Sequence, residues 1–306
     1  MFFGQKIHPL NFDYPERLGG NPEKIELSGA SVRLRVACAA ILEGCLRLRF
    51  ENARAADPVQ CSDAVLADYR VGRAESAKLA GEIAIFETPD GRVECGASQL
   101  RVTMAGVALA TVANGIGGCG EALLLNFALT GVSGCYGLGE RAGRLNKLGD
   151  TADFLTVDVV AVFRHTYARD DYDPTYVAIP LAILKVGERF LGLFFDNPHR
   201  AVMDVGQTRP GEFWYQAFGG VTDLYLLAGP TLAEVTRRYA ALTGRAPLPP
   251  PWALGYHQCR WGYRSEREFR ELAERFAAAE VPVSALWYDI DSVSYTHLTL
   301  PTSDLV

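Results

Sequence analysis

From Ser31 to Gly229 the sequence runs in short strand-like stretches, and in the first two the apolar residues fall at every second position. That period restricts the segment to sheet with one covered and one wet face. In SVRLRVACAAIL, Val32, Leu34 and Val36 share one face and Arg33 and Arg35 the other; in GCLRLRFE, Leu46, Leu48 and Phe50 oppose Arg47 and Arg49. EIAIFE, RVECG, LRVTMAGVALATV, EALLLNFAL, RFLGLFFDN, HRAVMDVGQ, EFWYQAFGG and DLYLLAG continue the series, separated by turn-forming residues. No segment before Pro230 carries a helical period. With 49% apolar and 22% charged residues, the chain has the composition of a globular protein. The expectation is a large N-terminal β-sandwich over residues 1–244. Residues 1–30, punctuated by Pro and Gly, are expected to be an irregular lead-in.

Two stretches within this region invite functional readings. GIGGCG (Gly115–Gly120) matches the dinucleotide fingerprint G-x-G-x-x-G. That fingerprint works only where the glycines open a helix. A strand-like run follows instead, so the glycines are expected to form a hairpin connection. FRHTYARDDYDPTYVAIPLAIL runs from an acidic loop into an apolar strand, gathering Asp170, Asp171 and Asp173 beside Tyr172 and Tyr176. Composition allows a solvated loop or a carboxylate lent to a neighbouring pocket.

At Gly229 the period changes. PTLAEVTRRYAALTG places Leu232, Val235, Tyr239 and Leu242 at helical spacing, with Pro230 at the start and Gly244 at the stop. RAPLPPPW then reads as an extended spacer over residues 245–251. Residues 252–291 read as a βαβ unit, the opening of a parallel α/β barrel. WALGYHQCR suits a buried first strand, Ser265 and Glu268 form an S-x-x-E capping box, and VSALWYD supplies a second strand. Phe269, Leu272, Ala273, Phe276 and Ala277 line one face of the helix between them. Trp261 follows the first strand, and Asp289 and Asp291 end the second. Residues beyond the carboxyl ends of parallel strands meet ligands, and an indole beside carboxylates suits a sugar as well as strand-end acids suit solvent.

The net charge of −6, without a Lys/Arg block, argues against a nucleic-acid partner. No run is apolar and long enough to span a bilayer and the start has no signal-peptide core, so a cytoplasmic location is expected. The seven cysteines fall in no metal-ligand spacing and are expected to be small buried thiols.

YGLGER (Tyr136–Arg141), YDPTYVAIPL (Tyr172–Leu181), FFDN (Phe194–Asn197), LTGRAPLPPPWALGYHQCRWGY (Leu242–Tyr263) and WYDID (Trp287–Asp291) resemble, in order, glycoside hydrolase family 31, the α-glucosidase and α-xylosidase group. The resemblance implies a galactose-mutarotase-like sandwich followed by the start of a (β/α)8 barrel. It also implies a retaining, exo-acting enzyme that removes terminal α-linked sugars from an oligosaccharide or α-glycoside, with no cofactor or metal. On that likeness Asp289 is a substrate-binding acid, Trp261 lines the sugar site, Asp291 supports it, and Asp170 or Asp171 reaches in from the sandwich. The nucleophile and acid/base match no position here and are expected on later barrel strands.

After Asp291, VSYTHLTLPT (Val293–Thr302) resembles the in-frame translation of a transposase adapter used in library preparation. Residues 292–306 are therefore expected to be a non-native tail. The competing reading is a non-catalytic carbohydrate-binding sandwich; a nucleotide-dependent oxidoreductase would rest on GIGGCG alone.

Overall fold

The alternating runs pair into two antiparallel sheets that close over one core. The computed structural model describes residues 15–21, 23–29, 32–52, 63–71, 73–141, 143–156, 177–260 and 262–288. It divides into two compact units, Met1–Gly244 and Arg245–Val306.

In the first unit the strands are β1 (Arg17–Asn21), β2 (Lys24–Ser28), β3 (Arg33–Leu42), β4 (Cys45–Asn52), β5 (Arg73–Glu75), β6 (Lys78–Ala80) and β7 (Ile83–Thr88). They continue with β8 (Gly91–Cys95), β9 (Leu100–Met104), β10 (Val107–Cys119), β11 (Ala122–Ala128), β12 (Val132–Gly137) and β13 (Thr151–Phe154). The last five are β14 (Leu181–Val186), β15 (Arg189–Asp196), β16 (Ala201–Val205), β17 (Glu212–Ala217) and β18 (Thr222–Gly229). One nine-stranded sheet runs β1-β2-β3-β4-β18-β15-β14-β12, with β5 on β3; the other runs β13-β16-β17-β11-β10-β9-β8-β7-β6. Leu34, Val36, Leu48, Phe50 and Phe195 from the first sheet and Phe86, Val102, Phe127 and Phe213 from the second share the core between them.

Several expectations need correction. The lead-in is not irregular throughout: β1 and β2 form a hairpin, with the Asn21 side chain accepting from the amides of Glu23 and Lys24. Ile25 and Leu27 are fully buried there, an alternation too short to stand out among prolines and glycines. A five-residue helix, α1 (Ala67–Val71), interrupts the strands, too short to generate a readable period. LRVTMAGVALATV is two strands, because Ala105 and Gly106 both take positive φ (46° and 77°) in a two-residue hairpin. GIGGCG is mostly strand: Gly115–Cys119 close β10, and the turn falls at Gly120–Glu121. A Cβ on Gly115 would sit 2.6 Å from the Asn126 carbonyl at the irregular step of the β10–β11 ladder, so the glycine serves close backbone approach.

The arginine face of β4 is only partly wet. Arg47 is buried beneath a second apolar layer of Val65, Tyr225, Leu227, Val235 and Leu242, to which α1 and α2 (Leu232–Thr243) contribute. Asp223 on β18 stands opposite Arg49 in register and accepts from its Nε (2.8 Å) and a terminal nitrogen (2.7 Å). Val235 and Leu242 of α2 are buried as their spacing predicts, whereas Leu232 is exposed.

Four cysteines, Cys38, Cys45, Cys95 and Cys135, are buried thiols, but Cys119 and Cys259 are exposed. No described helix is long and apolar enough to cross a membrane.

The second unit holds a 3-10 turn (Pro251–Leu254), β19 (His257–Cys259), α3 (Glu266–Ala278) and β20 (Ala285–Trp287), with β19 and β20 parallel. The expected buried first strand is only three residues and half-covered. Along α3, Phe269, Leu272 and Phe276 are half-buried while Ala273 and Ala277 are exposed. One helix on a two-stranded sheet cannot close a core of the kind that covers the sandwich.

Candidate functional site

Register in the second unit fixes which strand ends lie together. Cys259 pairs with Trp287, so β19 and β20 finish side by side. Trp261 follows Cys259 by two residues and Asp289 follows Trp287 by two. Trp261, Asp289 and Asp291 themselves lie outside the described residues, as do Asp170 and Asp171. The described scaffold therefore brings together the strand ends that precede the candidates.

That scaffold is aromatic. At the amino end of the strand pair the Ser284 amide donates to the Tyr256 carbonyl at 2.8 Å, and a Cβ on Gly255 would collide with the Ser284 side chain. At the carboxyl end, the indole N–H of Trp287 donates to His257 Nδ1 at 3.2 Å. Tyr288 lies flat on Phe269 of α3, with centroids 3.9 Å apart and planes 9° apart. Phe269 also meets Tyr263 edge-on, and the Tyr263 hydroxyl accepts from Gln258 Nε2 at 3.0 Å. Ser265 caps α3 as its sequence predicts, its hydroxyl accepting from the Glu268 amide at 3.3 Å. The Glu268 carboxylate accepts from the amide of Arg264, fixing the loop just before the cap.

In the first unit, YGLGER meets residues 177–181, the described end of YDPTYVAIPL. Gly137, Leu138 and Gly139 all take positive φ, which folds this loop tightly against the approach to β14. The Leu138 amide donates to the Leu181 carbonyl (2.7 Å), and the Glu140 carboxylate accepts from the Val177 amide (3.1 Å). Arg141 donates to the carbonyls of Leu138 and Asp153 and lies 4.9 Å from the Phe154 ring centroid. Burial lowers its guanidinium to about 10, against the opposing pull of Asp153. Asp153 also takes a two-point ion pair from Arg200, whose own pKa is raised chiefly by that hydrogen bond.

A cavity of about 440 Å³ opens beside this cluster, lined among others by Phe154, Phe194, Asp196, Asn197, Arg200 and Tyr239. Asn197 on its wall serves the fold. Asn197 donates to Gly219 O and Thr222 Oγ1 and accepts from the His199 amide, which makes FFDN a turn organiser. No cluster of His, Cys, Asp or Glu among the described residues has the makings of a metal site.

The family comparisons divide the chain where its architecture does. Residues 77–204 match the glycosyl hydrolase 31 N-terminal galactose mutarotase-like domain, and residues 246–303 match the glycosyl hydrolases family 31 TIM-barrel domain. The chain carries successive domains of glycoside hydrolase family 31. Alpha-glucosidase 2 of Bacillus thermoamyloliquefaciens is 40% identical over 155 residues, which are 51% of this chain and 19% of that protein. Human neutral alpha-glucosidase AB is 30% identical over 190 residues, 55% of this chain and 20% of its own. The family 31 dextranase of Flavobacterium johnsoniae, solved with glucose, superposes with a TM-score of 0.75 at 22% identity, over 91% of this chain and 34% of its own. A glucosidase II alpha subunit superposes at 0.71 and 16% identity, over 92% of this chain and 39% of its own. These structures share the fold. The chain spans only 19–20% of the length of these two curated relatives.

Sequence reasoning passed over His257. It sits among aromatics in a strand-like run, and its partner Trp287 lies thirty positions away. Only the register of β19 on β20 joins them.

Proposed function

We propose that this chain contributes the sandwich and the first barrel strands of a retaining α-glycoside hydrolase acting on the non-reducing end of α-linked oligosaccharides. The observation that carries the reading is the parallel β19–β20 pair, whose carboxyl ends precede Trp261 and Asp289 inside the family's barrel domain. In this reading the Asp289 carboxylate accepts hydrogen bonds from sugar hydroxyls, the Trp261 indole covers an apolar face of the ring, and Asp291 supports Asp289. Asp170 or Asp171 adds an acid from the sandwich. A retaining reaction needs two carboxyl groups about 5–5.5 Å apart, one to attack the anomeric carbon and one to protonate the leaving oxygen. We assign neither role to a residue of this chain. The reaction needs no metal or redox cofactor, and the reading places the protein in the cytoplasm.

The test uses 4-nitrophenyl α-glucoside. The 306-residue chain should release no nitrophenol, and the longer protein that carries it should hydrolyse the substrate. Asp289→Ala in that longer protein should lower kcat/KM at least about a hundredfold, as expected when a sugar-positioning group is removed. Turnover by the 306-residue chain, or none by the longer protein on any α-glycoside, defeats the reading. Sugar binding without turnover in the longer protein favours a carbohydrate-binding module.

A further inference from the structure

We propose that His257 is a positioning residue for the strand end that carries Asp289. The proposal rests on the reading of Asp289 as a substrate-binding acid. Strand β20 is only three residues long, so its ladder with β19 supplies few bonds to fix the direction in which the chain leaves the sheet. What holds that exit is a clamp on the two residues immediately before Asp289. Trp287 is held by His257, whose Nδ1 accepts the indole N–H at 3.2 Å. Tyr288 is held by Phe269 in a flat stack. Trp287 closes β20 and Tyr288 follows it, so the two contacts hold consecutive residues at the end of the strand.

His257 suits this task through both ring nitrogens. Nε2 lies 3.1 Å from the Trp252 carbonyl, so a neutral ring protonated on Nε2 donates there and leaves Nδ1 free to accept from Trp287. The ring also stacks on Trp252 (centroids 5.8 Å apart, planes 11° apart) and leans on Trp287 (5.7 Å, 37°). A single imidazole thereby links the 3-10 turn at the start of the unit to the last residue of β20. Removing it takes away the hold on Trp287 and leaves the Tyr288 stack on Phe269. An error of about 1 Å in a substrate-positioning group costs up to about a hundredfold in rate.

Three variants separate the hydrogen bond from the bulk of the ring. His257→Ala removes both. His257→Asn places a carbonyl oxygen near the Nδ1 position and can still accept from the indole. His257→Gln reaches only the Nε2 position and cannot. In the 15N-labelled 306-residue chain, the Trp287 indole N–H resonance, assigned with Trp287→Phe, should move upfield and exchange faster in the Ala and Gln variants but not in the Asn variant. In the longer protein, KM for 4-nitrophenyl α-glucoside should rise about tenfold in the Ala and Gln variants, the effect of one lost hydrogen bond, and stay within about threefold in the Asn variant. An indole resonance unmoved by His257→Ala, or a KM increase as large in Asn as in Ala, overturns the proposal. A wild-type longer protein inactive on α-glycosides while the indole resonance responds as expected refutes the proposed function, and the role in positioning Asp289 falls with it.

Discussion

Phe195 and Phe269 look alike in the sequence, each an aromatic at the inward position of a regular element, but their surroundings differ. Phe195 is fully buried in the sandwich, stacked 3.9 Å from Tyr215 and 6.2 Å from Phe213. Phe269 is half-buried on α3, with Tyr288 against one face and Tyr263 at its edge. The difference lies in the number of layers. Sheet, sheet and helix enclose the first unit, whereas one helix and two short strands make up the described part of the second. An apolar pattern states which face is to be covered; the elements available decide whether it is.

The comparison is sharpest for truncation. Phe195→Ala should cost about 3–5 kcal/mol, because it loses both transfer energy and the packing around a closed cavity. Phe269→Ala should cost about 1 kcal/mol, because a half-buried ring has less to lose and its pocket is open to water. Urea titrations of both variants test this. Three of the four tryptophans lie in the second unit, so fluorescence weights that unit while far-UV circular dichroism follows the sheets. Equal losses would break the distinction.

Most of the sandwich was legible for the same reason that it is stable. Two-faced strands impose alternation on their sequence, and Val32 to Phe50 follow it closely; β15 and β18, covered on both faces, read instead as nearly continuous apolar runs. Arg47 and Arg49 alternate as solvent-facing residues would, yet the partners that bury Arg47, α1 and β18, come from distant segments. A long-range cover leaves no local mark. The βαβ order of the second unit was legible from the Ser265 cap and the apolar stripe of α3. The His257–Trp287 bond was not, because it depends on register. The candidate residues Trp261, Asp289, Asp291 and Asp170 stood out through family likeness and strand-end position, and lie outside the described residues.

Alkaline pH offers a second separation. Burial pushes the thiols of Cys38, Cys95 and Cys135 up from the ordinary thiol range to about 12, and raises Cys45, Tyr215 and Tyr225 as well. Between pH 9 and 12 the unfolded chain has released these protons while the folded chain keeps them. The unfolded state then binds fewer protons, so stability falls as pH rises. By pH 10 each of the three thiols should account for about 1 kcal/mol of lost stability in the first unit. The second unit has no buried thiol among its described residues, since Cys259 is exposed. The urea midpoint read by circular dichroism should therefore drop between pH 8 and 10 by more than the midpoint read by fluorescence. Parallel shifts would mean that the two units unfold as one.

The smallest effect compares like with like. Helices α2 and α3 begin with the same device: Thr231 accepts from the Glu234 amide at 3.2 Å, and Ser265 from the Glu268 amide at 3.3 Å. Losing either hydroxyl should cost about 1 kcal/mol locally. The consequences differ because α2 is also held by Val235 and Leu242, both fully buried, whereas α3 has no fully buried side chain. In Thr231→Ala the cost should appear as a small fall in the unfolding midpoint of the sandwich, with the amides of Val235 to Leu242 still protected from hydrogen exchange. In Ser265→Ala it should appear as fraying, with amides from Phe269 through Leu272 exchanging faster under native conditions. Equal protection of the two first turns in the two variants would show that α3 is held by packing as firmly as α2, and would close the gap between the units.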